Sequence, residues 1–407
     1  MQNNPNKGLA QILQNSSQQT ICLTMKVLIL SCNTGEGHNS CAKALKKAMD
    51  RRNIACETQD TLALISDTLS QRVNNAYIYS TRGSLFEMVY KLGGFVSNNI
   101  DSRQSLIYSA NKLYAEKLYN YITDNGYDIV VCVHLFPAEA LTALKRKTQL
   151  QIPTYFVMTD YTCIPFLPET DLDYYIIPHE HLIEEFAERG IAREKIFPIG
   201  IPVDEHLFTT RQPQLRARYM LALQMGWDIT TATGYWYLIM SGSMGFGNLG
   251  ELVEQLLRAI RPEDRVICVC GRNEDMQHSL QEVFANNQQL WVLGFTDQVS
   301  LLMDASNVIF TKPGGITSTE AIVKHIPLIH TTPIPGLEDR NAHFFHQHGL
   351  SYYTNEVTQQ VAVAMRLCQD QAYRQHMLRQ QREHANTRTS DDVIDLILSE
   401  YEEAATQ

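Results

Sequence analysis

The chain has 407 residues, of which 44% are hydrophobic and 19% charged, and its formal net charge at pH 7 is −10. These values predict a soluble globular protein of two or three domains with a large core. They argue against a general nucleic-acid binder, because the chain is acidic, and against a membrane-spanning protein, because no run of 18 apolar residues occurs.

The first 20 residues are polar and rich in asparagine and glutamine, without the apolar core of a signal peptide. We therefore expect residues 1–24 to form a disordered tail, Met25 to be an alternative start, and the protein to stay in the cytoplasm. The nine cysteines include no CxxC pair, so reduced, buried thiols are expected and a metal site is not.

The positive charge is concentrated in the first part of the chain. Residues 1–147 hold 16 Lys and Arg against 11 Asp and Glu, although the whole chain is acidic. A basic lobe of this kind can lie on an anionic membrane surface. Chance asymmetry is the alternative explanation.

The first β/α unit begins with the apolar strand Lys26–Ser31, followed by a glycine-containing turn and a helix that runs through Met49. The turn exposes His38 at the carboxyl end of the strand, where open α/β sheets bind their ligands. His38 is therefore a candidate functional residue, and a solvent-facing histidine at a helix start is the alternative.

The stretch Thr61–Asn125 differs from its surroundings, because it is long, partly helical and rich in tyrosine. Its piece Leu85–Val96 is apolar and aromatic and has basic residues on both sides. Such a segment is suited to the interface of a membrane. Core-packed helices are an equally good interpretation of the same pattern.

Further strands and helices alternate along the rest of the chain. The link at Gly200–Asp204 separates two lobes, and a last helix over Thr389–Tyr401 is predicted to fold back on the first lobe. The other predicted elements are strands Ala55–Asp60, Ile129–Val133, Thr154–Thr159, Tyr174–Ile177, Phe197–Gly200, Tyr237–Met240, Val266–Cys270 and Trp291–Leu293, and helices Leu182–Arg189, Leu249–Ile260 and Val299–Met303.

The stretch Val308–Glu320 has the pattern of a nucleotide-diphosphate cradle. A strand ends at Pro313-Gly314-Gly315 and a helix follows, so unpaired N–H groups and the positive end of the helix dipole point at one place. Hydroxyl side chains follow, and the carboxylate of Glu320 is suited to a ribose diol. An ordinary strand-to-helix turn is the alternative.

Seven short motifs of the chain together resemble one family. In the strings VMTDY, SGSMGFGN, VCGRNE, LGFTD, TKPGGITSTEA, PIPGLEDRNAHFF and NTGEGHNSCAKAL, the chain is similar to monogalactosyldiacylglycerol synthases and processive diacylglycerol glucosyltransferases. The resemblance covers roughly Met25 to Asn341. It implies an α/β fold of the GT-B type, in which two Rossmann-like domains face each other across a cleft. The implied domains are an acceptor and membrane domain (25–208), a UDP-sugar domain (209–385) and a returning helix (386–407).

The family transfers a hexose from a UDP-sugar to the 3-hydroxyl of diacylglycerol with inversion, and it needs neither a metal nor another cofactor. The resemblance implies UDP-glucose or UDP-galactose as donor and peripheral attachment to the cytoplasmic face of an anionic membrane. It gives His38 the role of general base and Asp160 an assisting role. The implied donor-binding residues are Gly242, Ser243, Met244, Gly245, Arg272, Phe295, Thr311, Lys312, Gly314, Gly315, Ile316, Thr317, Glu320, Glu338 and Asn341.

Two positions depart from the family pattern. Leu337 stands where the family commonly has a glutamine that reaches sugar hydroxyls, and Ile164 stands where it commonly has a histidine. A lost hydrogen bond in a buried sugar site costs about 1–3 kcal/mol, which is enough to change donor choice. The alternatives are a MurG-like UDP-GlcNAc transferase, a UDP-sugar 2-epimerase, and a UDP-sugar-binding regulator that has lost transfer.

Overall fold

The computed structural model describes residues 25–32, 36–64, 105–147, 150–228, 233–240, 249–334 and 336–406. Two six-stranded parallel sheets form the cores of two lobes. The strands of the N-terminal lobe are β1 (Lys26–Ser31), β2 (Ala55–Asp60), β3 (Ile129–Cys132), β4 (Thr154–Val157), β5 (Tyr174–Ile176) and β6 (Ile196–Phe197). Those of the C-terminal lobe are β7 (Trp236–Met240), β8 (Arg265–Val269), β9 (Leu290–Leu293), β10 (Val308–Thr311), β11 (Leu328–His330) and β12 (Tyr352–Tyr353).

Fifteen helices among the described residues accompany these strands. They are α1 (Glu36–Arg51), α2 (Leu106–Lys112), α3 (Ala115–Asp124), α4 (Leu135–Arg146), α5 (Ile183–Glu188), α6 (Glu205–Thr209), α7 (Gln214–Met225), α8 (Leu249–Ala259), α9 (Glu274–Val283), α10 (Val299–Ala305), α11 (Gly315–Lys324), α12 (Leu337–Gln347), α13 (Val357–Gln369), α14 (Gln371–His384) and α15 (Thr389–Thr406). None of the helices in these described ranges is long and apolar enough to cross a membrane.

The strand orders explain where a ligand would bind. The N-terminal sheet has the order β2-β1-β3-β4-β5-β6 and the C-terminal sheet the order β12-β11-β10-β7-β8-β9. The order therefore reverses beside β1 in one lobe and between β7 and β10 in the other. Open parallel sheets bind ligands outside the carboxyl ends of the strands at such reversals. This arrangement confirms the predicted pair of Rossmann-like domains.

The central strands are buried on both faces, as their apolar sequence runs predict, whereas the edge strands β2 and β12 contain no buried residue. Along β7, Trp236 and Leu238 pack into a core shared with the N-terminal lobe, whereas Tyr237 and Ile239 pack into a second core on the other face. This alternation follows from the two-residue period of a strand. All cysteines among the described residues are free thiols, and all of them except Cys56 are buried.

The last helix, α15, returns to the N-terminal lobe and packs against α1, as predicted. Arg52, the residue directly after α1, pairs with Asp391 at 3.2 Å and with Asp395. The return is also fixed by the backbone N–H of Ser390, which donates to the carboxylate of Glu205. Helix α15 is thus part of the N-terminal lobe.

Part of the tyrosine-rich stretch lies in the core. Tyr108 and Tyr114 are buried, and α2 and α3 pack against α4. These two helices therefore belong to the core of the N-terminal lobe. The piece Leu85–Val96, the predicted tail at residues 1–24 and the loop after β7 (241–248) lie outside the described residues.

Candidate active site

The N-terminal half of the candidate site is built at the carboxyl ends of β1, β3 and β4. His38 lies in the first turn of α1, His134 caps the amino terminus of α4, and Thr159 and Asp160 follow β4. These ends meet at the strand-order reversal of the sheet. The structure therefore brings together the two residues that the sequence predicts as catalytic, His38 and Asp160, which interact electrostatically.

The hydrogen bonds of His38 define its tautomer. Its Nδ1 lies 2.7 Å from the carbonyl oxygen of Val133 and 3.1 Å from the hydroxyl oxygen of Thr159. A carbonyl oxygen can only accept, so Nδ1 carries the proton and Nε2 carries the lone pair. Burial lowers the pKa of His38, an effect that the negative charge of Asp160 and the Val133 carbonyl partly oppose. A neutral imidazole with a basic Nε2 is the form required of a general base.

Asp160 is held by the other lobe. The side-chain amide of Asn341, on α12, donates to Asp160 at 2.9 Å and to the carbonyl of Pro313 at 3.0 Å. The amide oxygen of Asn341 accepts from the backbone N–H of Tyr161 at 2.7 Å. Asn341 was predicted to bind the donor, and in this structure its fully buried side chain connects the two lobes.

His134 is a further candidate that the sequence motifs did not single out. Its ring lies 4.7 Å from that of His38 in an edge-to-face arrangement, and its Nδ1 accepts from the backbone N–H of Phe136 at 3.2 Å. Burial, followed by the charge of His38, lowers its pKa well below the ordinary value. The sequence could have indicated His134 through its position just after a buried strand, β3, which pairs with β1.

The C-terminal half of the site is the turn between β10 and α11, where Gly314 caps the helix. A Cβ atom on Gly315 would lie only 1.9 Å from the carbonyl oxygen of Thr159 in the opposite lobe. One turn later the hydroxyl of Thr319 contacts that of Tyr161 at 2.9 Å. The glycine at position 315 therefore allows the lobes to meet here, a requirement that the predicted phosphate cradle did not include.

Some of the other predicted donor-binding residues near this turn interact with each other. Lys312 forms an ion pair with Glu338, and Glu338 also accepts from the backbone N–H of Ile334 at 2.7 Å. The buried hydroxyl of Thr311 has no hydrogen-bond partner within the described chain. Ile316 is buried beside Gly37, and Thr317 is half-buried.

Arg272 and Phe295 lie together at another edge of the cleft. The guanidinium of Arg272 sits over the Phe295 ring at 5.2 Å and pairs with Glu36, at the start of α1, at 2.7 Å. The Phe295 side chain is 63% exposed. An exposed aromatic ring beside a cation is suited to stacking on a base.

Glu320 faces a cavity between the lobes. The cavity has a volume of about 190 Å³ and is lined by Glu320 and Ile316 from the C-terminal lobe, Lys43 and Lys47 from α1, and Asp204 from the link. Burial raises the pKa of Glu320 to about 8, and the negative charge of Asp204 adds to this effect. Lys47 pairs with Asp204 at 2.7 Å. The sequence motifs did not single out the two lysines at this cavity.

The predicted donor-binding residues Gly242, Ser243, Met244 and Gly245 lie outside the described residues, so their role remains a prediction. The donor-binding roles of the described residues likewise stay predictions. The described part of the chain nevertheless places His38 and Asp160 next to the β10–α11 turn, at the contact between the lobes.

Two family models match this chain. Residues 38–203 match the monogalactosyldiacylglycerol (MGDG) synthase family, and residues 237–395 match the C-terminal domain of glycosyltransferase family 28. A processive diacylglycerol beta-glucosyltransferase of Bacillus pumilus is 27% identical over 383 residues, covering 91% of this chain and 94% of the relative. One of the same description from Bacillus cereus is 26% identical over 390 residues, covering 92% and 94%.

Solved structures of lower sequence identity share the architecture. Acinetobacter baumannii MurG is 15% identical with a TM-score of 0.59, covering 92% of this chain and 99% of its own. An Anabaena protein, HepE, in complex with UDP and glucose is 14% identical with a TM-score of 0.57 and the same coverage. A putative UDP-N-acetylglucosamine 2-epimerase of Listeria monocytogenes is 14% identical with a TM-score of 0.60, covering 93% and 97%. At these identities the likeness concerns the fold alone.

Proposed function

Because the chain belongs to the glycosyltransferase family of monogalactosyldiacylglycerol synthases and processive diacylglycerol glucosyltransferases, we propose that it is an inverting transferase. It moves a hexose from a UDP-sugar to the 3-hydroxyl of diacylglycerol. The observation that carries this proposal is the fixed tautomer of His38, whose basic Nε2 lies in the lobe opposite the β10–α11 turn. The names of the Bacillus relatives favour glucose over galactose as the transferred sugar.

Inversion requires one in-line displacement. In the proposed reaction Nε2 of His38 takes the proton of the acceptor hydroxyl while the hydroxyl oxygen attacks the anomeric carbon. The bond between that carbon and the β-phosphate oxygen breaks, and UDP leaves with the electron pair. Asp160 stabilises the imidazolium that forms, because its charge favours the protonated ring.

The departing UDP gains negative charge, which the C-terminal lobe must stabilise. The first-turn N–H groups of α11 and the dipole of this helix supply one part. The positive charges of Lys312 and Arg272 supply the other part. In this structure Lys312 is paired with Glu338 and Arg272 with Glu36. The donor phosphates would replace these carboxylates, so donor binding also releases the Arg272 contact between the lobes.

The acceptor is a membrane lipid, so we propose that the N-terminal lobe lies on the membrane. Leu113, between α2 and α3, is 87% exposed and lies beside Lys112 and Lys117, which are also exposed. An apolar side chain flanked by lysines is suited to an anionic surface. The basic balance of residues 1–147 supports the same orientation.

We expect the substitution Leu113→Asp to weaken binding to vesicles by about tenfold or more, since burying a leucine contributes about 1.5–3 kcal/mol. Sedimentation with anionic and neutral vesicles at low and high salt measures this effect, and the protein should prefer anionic vesicles at low salt. The matched control is Leu215→Asp, because Leu215 is 69% exposed on the C-terminal lobe. Equal losses in the two variants would contradict the proposed surface.

Glu320 is proposed to hold the ribose of the donor. We expect Glu320→Ala to weaken UDP binding by about tenfold or more above pH 8, where the ionised carboxylate can form one or two charge-assisted hydrogen bonds. The carboxyl is mostly neutral below its pKa of about 8, whereas a carboxylate accepts better from a diol. UDP affinity should therefore rise between pH 7 and 9.

Titration calorimetry at several pH values tests this expectation, with Glu320→Gln as the control variant. The glutamine keeps the size and polarity of the side chain but has no charge to titrate, so its UDP affinity should not change with pH. An unchanged UDP affinity in folded Glu320→Ala protein would remove Glu320 from the ribose role.

The proposed function is tested by offering purified protein UDP-glucose and UDP-galactose with vesicles that contain or lack diacylglycerol. We expect UDP release that depends on diacylglycerol, and mass spectrometry should detect a hexosyl diacylglycerol. Binding of UDP-sugar without release would indicate a regulator. An altered UDP-sugar in the absence of lipid would indicate an epimerase.

A further inference from the structure

Four histidines meet where the lobes join, away from the candidate catalytic residues. Two come from the turn that follows β5 in the N-terminal lobe, and two come from the ends of α12 and α14 in the C-terminal lobe. They are His179, His181, His348 and His384. The chain passes between the lobes twice, first at the link Gly200–Asp204 and again directly after His384. The histidine cluster lies at the second of these connections.

The spacing of the ring nitrogens approaches that of metal ligands. One nitrogen from each of His179, His181 and His384 lies within 4.8 Å of the others. Nδ1 of His384 and Nε2 of His179 are 3.0 Å apart. Nitrogens at about 2.0–2.1 Å from a tetrahedral zinc ion are about 3.3–3.4 Å from each other. Small rotations of the His181 and His384 side chains would therefore complete a three-nitrogen site.

The side chains of the cluster are of the type that binds transition metals. A ring nitrogen of neutral imidazole is a common ligand of divalent transition metals.

We propose that the histidine cluster binds one zinc ion through His179, His181 and His384, and that this ion links the two lobes. The fourth position is open to water or, after rotation of its side chain, to His348, whose ring stacks on that of His181 at 4.6 Å. Zinc suits the site because it accepts three imidazoles and one further ligand in tetrahedral geometry.

Two hydrogen bonds must change when the ion binds. Nδ1 of His179 accepts from the backbone N–H of His181 at 3.2 Å, so the ring proton is on Nε2, which donates to Nδ1 of His384 at 3.0 Å. Coordination through Nε2 moves this proton to Nδ1 and ends both contacts. The ion takes the place of the proton between His179 and His384. The contact with His181 is long, and His181 is exposed, so the turn has room to adjust.

The position of the site gives the ion a mechanical role. Next to the cluster, the Asn386 amide donates to the carbonyl of Ile199 at 2.9 Å, and Gly200 packs so closely on Thr389 that a Cβ atom would lie 2.9 Å from the threonine hydroxyl oxygen. These contacts hold the two connections between the lobes next to each other. A bound ion adds a cross-lobe connection beside them, and this favours the arrangement of the lobes described here.

The test uses the untagged full-length protein and zinc competition with a chromophoric chelator. We expect one zinc ion per chain and an increase in the unfolding temperature on addition of zinc. His179→Ala and His384→Ala should each weaken zinc binding by at least about tenfold and abolish the temperature increase. His376→Ala is the matched control, because His376 is an exposed histidine two turns earlier on α14, and it should change neither result.

Cobalt provides a test that needs no variant. Co²⁺ bound in the cluster should show the intense visible bands of a four-coordinate ion, and excess zinc should remove them. Spectra that remain those of the hydrated six-coordinate ion, or a zinc affinity that is equal in all three variants and the unmodified protein, would overturn the proposal. Melting curves without metal establish that each variant is folded before its zinc affinity is compared.

Discussion

Replacing His38 by alanine is expected to lower the rate of transfer about 10²–10⁴-fold, the usual contribution of a general base, and to leave UDP binding intact. The separation of these two effects follows from the architecture. His38 belongs to the N-terminal lobe, and the proposed donor residues belong to the C-terminal lobe. Initial rates with a UDP-sugar and diacylglycerol vesicles measure the first effect, and calorimetry with UDP measures the second.

The pH dependence of kcat/KM identifies the nitrogen base. Because burial lowers the pKa of His38, the acid limb of the profile should lie below the ordinary imidazole value of about 6.5. Activity should persist as the pH falls to about 6.5 and be lost when it passes through the lowered pKa, where the ring takes up a proton. The acid limb should be absent from the residual activity of the variant.

His38→Asn is the matched control for the structural role of the ring. Its side-chain N–H can still donate to the Val133 carbonyl, which accepts from Nδ1 of His38 in the native protein, but an amide cannot act as a base. Asparagine should therefore restore any lost thermal stability without restoring transfer. A His38→Ala variant that keeps most of its rate and its acid limb would make His38 a packing residue and assign the proton to Asp160 or the substrate.

A methyl group at position 315 is expected to reduce transfer about 10²-fold. In Gly315→Ala the new Cβ would lie 1.9 Å from the carbonyl oxygen of Thr159 and 3.2 Å from a carbon of Ile201. The clash with Thr159 involves a backbone atom that no side-chain rotation can move away. The lobes must therefore separate by about an ångström or more. Displacing reacting groups by about 1 Å can cost about 10²-fold in rate.

The neighbouring glycine supplies the control for this prediction. A Cβ atom on Gly314 would meet only the ends of Lys312 and Glu338, at 3.5 and 3.7 Å, and its φ of −72° suits any residue. Gly314→Ala should therefore retain most of the transfer rate. If both variants lose the rate equally, the glycine pair acts on the phosphates directly, as the sequence pattern alone suggests, and the lobe contact is not the cause.

The sequence predicted the central strands well because they are continuous apolar runs, whereas the edge strand Ala55–Asp60 is largely polar. Lys26–Ser31 and Ala55–Asp60 occur with the predicted bounds, and Val308–Glu320 forms the predicted strand, turn and helix. Strand ends at one edge of a sheet follow from the parallel topology. That topology explains why His38 and Asp160 could be expected in one cleft although 122 positions separate them.

Contacts across the cleft were not predictable, because they depend on the relative orientation of the lobes. Nothing in the local pattern of Gly315 indicates the carbonyl of Thr159, and Asn341 reads as a polar residue near the start of a helix. The four clustered histidines lie as much as 205 positions apart. Such pairings arise from packing between domains, to which hydrophobic periodicity does not respond.

The return of α15 to the first lobe also determines how the molecule can move. The C-terminal lobe is connected at two places, through residues 200–204 and through residues 385–388, and the side chains of Glu205 and Asn386 join the two connections. A domain attached by a single flexible linker can rotate about any axis. A domain attached by two adjacent linkers rotates easily only about the axis through both linkers, since other rotations would stretch one of them. The lobes should therefore open and close by rotation about this one hinge axis, and each closure brings the same surfaces together.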